Sequence, residues 1–217
     1  WVFEQSYLPA MLRQNSYDTI CHEHLEYYSL AAIQYIVQQA RMKIVNASQN
    51  EVNGGSIRLA VVHETSSLAT KVSPEVLWLI EQEKNHNIYA HHPFVSFKEN
   101  VERQKKDLVQ LLQELKIAGK TVIGYGASTK GNVILQYCGI NPDLLPYIGD
   151  ITPFKDGVFT PGTKIPVISM EKAKAMNPDY FLVLPWAFRN DILLREKELL
   201  HNGTKFIFPL PFVEIVS

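Results

Sequence analysis

The stretch Thr121-Val122-Ile123-Gly124-Tyr125-Gly126-Ala127-Ser128-Thr129-Lys130-Gly131 decides the fold class. A short β-prone run leads into Gly-x-Gly and then into a helical pattern over about 129–138. Backbone N–H groups and a helix N-terminus converge at such a turn, which suits a phosphate. The dinucleotide fingerprint is only partly met, because Thr129 stands where a third glycine belongs and the next glycine is Gly131. Asn132-Val133 after Gly131 excludes a P-loop, which needs Lys-Ser/Thr there. The plainer alternative is an α/β turn that simply needs small residues.

Downstream, β-prone and helical stretches alternate. Leu144 to Gly149, Pro166-Val167-Ile168, a helix from Met170, Tyr180 to Leu184, a helix through 188–200 and Phe206-Ile207-Phe208 follow one another. This spacing predicts βαβ units and a mainly parallel sheet with flanking helices, a Rossmann-like α/β domain over 119–217. Asp150, at the end of the strand after the Gly-rich turn, is placed to accept from a ribose hydroxyl. Lys155 and Thr163, in a Pro/Gly-rich stretch, are phosphate or sugar contacts, or members of a surface loop. Trp186 either stacks on a base or packs.

Upstream, residues 65–118 read as a helical linker. Ser73-Pro74-Glu75 opens a helix that ends near Lys84, and Asn85 to Pro93 breaks it. Ser96-Phe97-Lys98-Glu99 reads as a capping box. It starts a second helix whose apolar stripe is Phe97, Val101, Leu108, Leu111/Leu112 and Leu115, ended by Gly119. Residues 1–64 offer a helix over 30–41 capped by Ser29, then two β-prone runs joined by Asn53-Gly54-Gly55. Such a turn predicts an antiparallel hairpin.

Tyr17-Asp18-Thr19-Ile20-Cys21-His22-Glu23-His24-Leu25-Glu26-Tyr27-Tyr28-Ser29 is dense in proton-carrying side chains. An imidazole with a carboxylate beside it suits proton abstraction near neutral pH. A hydrogen-bonded cluster at a helix entry is the structural alternative. A zinc reading of Cys21, His22 and His24 lacks a fourth ligand at the usual spacing. His86, His91 and His92 sit in a polar break and read as solvated loop residues, and Cys138 reads as a core residue.

Composition narrows the classes. The 217 residues are 46% hydrophobic and 20% charged, enough for a packed core. A net charge of −1 with no dense basic stripe argues against nucleic acid as a partner. No apolar run is long enough for a membrane span. Two cysteines are too few for a disulfide framework, which predicts a reducing cytoplasm. The opening Trp1-Val2-Phe3-Glu4 has neither Met nor signal peptide, and it reads as part of a longer polypeptide.

Four motifs in order carry a resemblance. They are Tyr17 to Ser29, Asn53-Gly-Gly-Ser56, Gly124 to Asn132 with Gln136-Tyr-Cys-Gly-Ile140, and Pro161-Gly-Thr163. Together they resemble the C-terminal half of S-adenosylmethionine-dependent C-methyltransferases acting on nucleotide-linked keto-deoxysugars. The resemblance implies that residues 1–64 are the tail of a methyltransferase domain carrying a catalytic loop. It also implies that 119–217 anchor a nucleotide-sugar, of the dTDP class, through Gly124, Tyr125, Gly126, Ala127, Ser128, Thr129, Lys130, Asp150 and Lys155. By the same resemblance His24 is the base, with Glu23 in support and His22 and Cys21 as further candidates. The S-adenosylmethionine site and a zinc module belong to segments preceding residue 1, so this stretch alone is expected to be inactive. Cys21 departs from the family, which commonly has Tyr there, and Ala187 stands where Asn is frequent. An NAD(P)-dependent oxidoreductase domain and a non-catalytic nucleotide-binding domain are the alternatives.

Overall fold

A computed structural model describes residues 1–217, the side chain of Asn53 excepted. The chain forms two compact units, Trp1–Ser16 with His24–Lys98, and Tyr17–Glu23 with Glu99–Ser217.

In the first unit, strands β1 (Val2–Ser6), β2 (Met42–Asn50) and β3 (Ser56–His63) form a sheet in the order β1-β3-β2. β3 is antiparallel to both neighbours. Ile57, Leu59 and Val61 alternate along β3 and are fully buried, the period of two that one covered face requires. β2 cannot follow that period unaided, because its buried residues Ile44 and Ala47 are three apart. The register shifts between Ile44 and Asn46, opposite Val61 and Ala60, and this bulge turns both side chains to the core. Helices α1 (Leu8–Arg13), α2 (Leu30–Gln39) and α3 (Pro74–Asn85) complete the unit. Leu30, Ile33 and Val37 of α2 and Val76 and Leu79 of α3 join Tyr7 and the sheet in one core.

The hairpin expected across 42–63 is present, with the turn held in a 3-10 segment at Val52–Gly54; the side chain of Asn53 lies outside the described residues. The expectation of helix, strand and strand for 1–64 is incomplete, since β1 and α1 precede them. β1 pairs along one side only and alternates weakly in polarity. α1 is six residues long with Pro9 in its first turn, too short to show a period.

Helix α4 (His91–Ile117) begins in the first unit, and its residues from Glu99 onward belong to the second. The expected break at Asn85 to Pro93 shrinks to 86–90, where Asn87 takes a positive φ of 47°. Pro93 is accommodated in the first turn of α4, where its missing N–H costs no hydrogen bond. The Ser96–Glu99 box therefore lies inside the helix and does not start it. His91 and His92 are helical, not loop, residues.

The second unit is built on a six-stranded sheet. Its strands are β4 (Val122–Tyr125), β5 (Ile148–Asp150), β6 (Val167–Ser169), β7 (Tyr180–Val183), β8 (Lys205–Phe208) and β9 (Glu214–Val216). The order is β6-β5-β4-β7-β8-β9, parallel except for the β8–β9 pair. This is a Rossmann-like α/β fold whose strand order reverses between β4 and β7. β4 is buried from end to end and β7 beyond Tyr180, as parallel strands covered on both faces must be. Helices α5 (Thr129–Cys138), α6 (Met170–Ala175), α7 (Arg189–Arg195) and α8 (Lys197–His201) connect them. The single helix expected over 188–200 is instead a 3-10 turn at Trp186–Phe188 followed by α7 and α8. The buried Glu196 separates α7 from α8, where its carboxylate takes Tyr125 Oη at 2.7 Å and Lys174 Nζ at 2.6 Å. The strand expected from Leu144 is shorter, because Leu144 and Leu145 turn back onto Asn141. Among the described residues no helix is long and apolar enough to cross a membrane.

Candidate functional site

The Gly-rich turn lies at the strand-order reversal, where open α/β sheets bind ligands. Gly126 has φ of 81°, and a Cβ there would stand 2.8 Å from Pro185 Cγ in the loop after β7. Gly131 on α5 has no room for a side chain either, since its Cβ would meet Leu184 Cβ at 2.7 Å. Close helix–strand packing is the task of the fingerprint's third glycine. Gly131 performs it two positions later than the fingerprint places it, which explains how Thr129 is tolerated.

The turn is closed from within. Asp150 Oδ2 accepts Ala127 N at 2.7 Å and Lys155 Nζ at 3.1 Å, while Asp150 Oδ1 accepts Thr152 N at 2.8 Å. Lys155 Nζ also donates to Ala127 O at 2.7 Å. Burial would raise the Asp150 pKa, but these hydrogen bonds outweigh it and hold the carboxyl below its usual range. Ser128 caps α5, its Oγ accepting Gly131 N at 3.0 Å. Tyr125 points into the core, edge-on to Phe181 and Phe206. Its hydroxyl donates to Glu196 at 2.7 Å, and burial first, then Glu196, pushes it up to about 12. Asp150, Lys155 and Ala127 are thus brought together, and Tyr125 is not among them.

Residues 17–23 belong to this second unit. They enter it through a 3-10 turn, Tyr17–Thr19, whose three side chains are buried. Tyr17 Oη donates to Gln104 Oε1 at 2.8 Å and lies 3.5 Å from Cys138 Sγ. Its ring is tilted against Tyr137 with centroids 5.2 Å apart. Burial raises the Tyr17 hydroxyl well above its ordinary range, and it raises the Cys138 thiol too. Asp18 Oδ2 accepts Trp186 Nε1 at 2.7 Å, so Trp186 packs and bonds and does not stack. Burial raises the Asp18 pKa against the opposing pull of Trp186 and the Lys130 charge.

Beyond this anchor, Ile20, Cys21 and His22 form one wall of a cavity of about 490 Å³. The opposite wall is one face of α5, with Thr129, Asn132, Val133, Gln136 and Tyr137 at helical spacing, closed by Pro161. Gln136 is fixed there by donating Nε2 to Pro161 O at 2.9 Å. Glu23 Oε1 accepts Thr129 Oγ1 at 3.4 Å and stands 3.9 Å from His22 Nε2. The structure therefore gathers Cys21, His22, Glu23 and Thr129 around one opening. His24 falls in the first unit, half-buried, where its backbone carbonyl accepts Tyr27 Oη at 3.1 Å.

The family described as C-methyltransferase C-terminal domain matches residues 51–211. The chain belongs to that family. The chain is 34% identical over 214 residues to C-methyltransferase NovU of Streptomyces niveus, a match covering 99% of this chain and 50% of that protein. It thus spans about half the length of the curated relative it matches.

The motifs quoted from the sequence contain Asp18, Asn132, Gln136 and Tyr137 but give none of them a place in the site. A polar i, i+4 pair such as Asn132 and Gln136, on the helix after a Gly-rich turn, was the available signal. The buried Asp18 gave none, because its environment comes from Trp186, far away in sequence.

Proposed function

We propose that this C-methyltransferase chain holds and deprotonates a nucleotide-linked keto-deoxysugar. One observation carries the reading: the cavity whose walls join Cys21 and His22 to the polar face of α5. A site for such a molecule needs amide and hydroxyl partners for sugar or base, and titratable groups at the mouth. Thr129, Asn132 and Gln136 supply the first, and the continuous run Cys21-His22-Glu23-His24 the second.

A carbon next to a ketone carries an acidified C–H bond. In this reading the imidazole of His24 takes that proton, the C–H electrons become the enolate of the sugar, and Glu23 supports the base. S-adenosylmethionine, when bound to such an enzyme, supplies an electrophilic methyl group for the enolate carbon. The Gly-rich turn of this chain does not fit that donor, since Asp150 is committed to Ala127, Thr152 and Lys155. Nor does Cys138 fit a zinc thiolate site, buried as it is against Tyr17. No step through either group is assigned to these residues.

Calorimetric titration with a dTDP-linked 4-keto-6-deoxysugar tests the reading. Saturable binding is expected, weakened at least ~10-fold by Asn132→Leu. No binding of that sugar, together with binding of NADH, would overturn it in favour of an oxidoreductase domain.

A further inference from the structure

Asp18 is 1% exposed, and its two carboxylate oxygens are treated unequally. Oδ2 accepts Trp186 Nε1 at 2.7 Å, whereas Oδ1, also buried, has no hydrogen-bond partner among the described residues. A buried carboxylate left half unpaired is costly, and Trp186, the Lys130 charge and the backbone N–H groups of Asp18 and Thr19 offset only part of that cost. Such a group persists where its position matters more than its contribution to stability.

The position is informative. Asp18 precedes Cys21 by three residues, and Trp186 begins the turn after β7, at the strand-order reversal. Tyr17 is fixed on its other side to Gln104 and to the side of α5 that carries Tyr137 and Cys138. Residues 17 and 18 are therefore bound at two points, while beyond them Cys21 N donates to Thr19 O at 2.9 Å and Glu23 accepts Thr129 Oγ1 at 3.4 Å. That bond is long, and His22 and Glu23 are exposed. The tie from Asp18 to Trp186 is the nearer rigid support for the three residues that line or flank the cavity.

We propose that Asp18 and Trp186 are positioning residues: their hydrogen bond sets Cys21, His22 and Glu23 against the N-terminal part of α5. Neither lines the cavity, and neither touches a substrate in this account. The inference rests on the proposed deprotonation site for its functional consequence, but not for its structural one. Cys21 reports the structural part directly, because its thiol is half-buried in the cavity wall and Cys138 is buried.

The test compares Trp186→Phe, which deletes the donor, and Asp18→Leu, which deletes the acceptor, with Asp18→Asn, which keeps an acceptor oxygen. Alkylation of Cys21 by iodoacetamide and deuterium exchange of the proton next to the ketone in the nucleotide-sugar are both read. Both disrupting variants are expected to alkylate about 10-fold faster and to exchange about 10-fold slower, while nucleotide-sugar affinity changes less than about 3-fold. Asp18→Asn is expected to restore both rates to within about 2-fold of the parent. Unchanged alkylation in both disrupting variants would overturn the proposal, as would an Asp18→Asn variant as impaired as Asp18→Leu. Faster alkylation with unchanged exchange would support the positioning role and count against the deprotonation site.

Discussion

The carboxylate of Asp150 accepts the backbone N–H of Ala127 at 2.7 Å, so the Gly-rich turn is closed by a side chain of its own sheet. A turn that reads as an anion cradle is already occupied by an anion. The opening for a ligand lies instead along α5, between its polar face and residues 20–22.

Asp150 makes stability depend on pH in a defined direction. Its folded-state pKa lies below that of the unfolded chain, so its contribution is present above the unfolded carboxylate value of ~3.9. It is lost as pH falls through the lower folded value. Thermal melts of the parent should fall away below about pH 4 more steeply than those of Asp150→Asn, which at neutral pH should be less stable by ~1–3 kcal/mol.

Gly131→Ala should destabilise by ~1–3 kcal/mol, because the added Cβ meets Leu184 Cβ at 2.7 Å and neither atom ends a flexible chain. Gly139→Ala is the control, with strain from φ of 67° but nothing within 4 Å of the new carbon. It should cost ~1–2 kcal/mol in urea denaturation, from the left-handed backbone alone. Equal costs would mean that α5 does not pack tightly against Leu184.

Glu83 should be the most sensitive polar residue of the first unit. Its buried carboxylate accepts Tyr7 Oη at 2.8 Å, Leu30 N at 2.5 Å, Ala31 N at 3.1 Å and Tyr89 Oη at 2.9 Å. It closes the N-terminus of α2 beside the Ser29 cap, where a negative charge is favoured. Glu83→Leu strands these donors and should cost ~3 kcal/mol or more. Glu83→Gln, keeping an acceptor, should cost visibly less in the same denaturation experiment.

The C-terminal sheet was legible because its strands are buried on both faces and read as short apolar runs between helical stretches. β4 and β7 fall within a residue of expectation, and Ser29 caps α2 as read. What escaped depends on partners distant in sequence or on patterns with two meanings. Ser96 to Glu99 fits a capping box and equally a turn inside α4, and only the 86–90 break distinguishes them. Asp150 was read as reaching outward for a ribose, because a sequence does not reveal that Ala127 and Lys155 engage it first. Trp186 was open between stacking and packing until Asp18, far upstream, supplied its acceptor.

Removal of a proton next to a ketone in a nucleotide-linked sugar is the step proposed for this chain. Proton NMR of the dTDP-linked 4-keto-6-deoxysugar in D2O measures that step directly, without a methyl donor. Catalysed loss of the signal next to the ketone is expected with the active protein, slowed at least ~100-fold by His24→Ala. Exchange no faster than in buffer, or exchange that His24→Ala leaves intact, would contradict it.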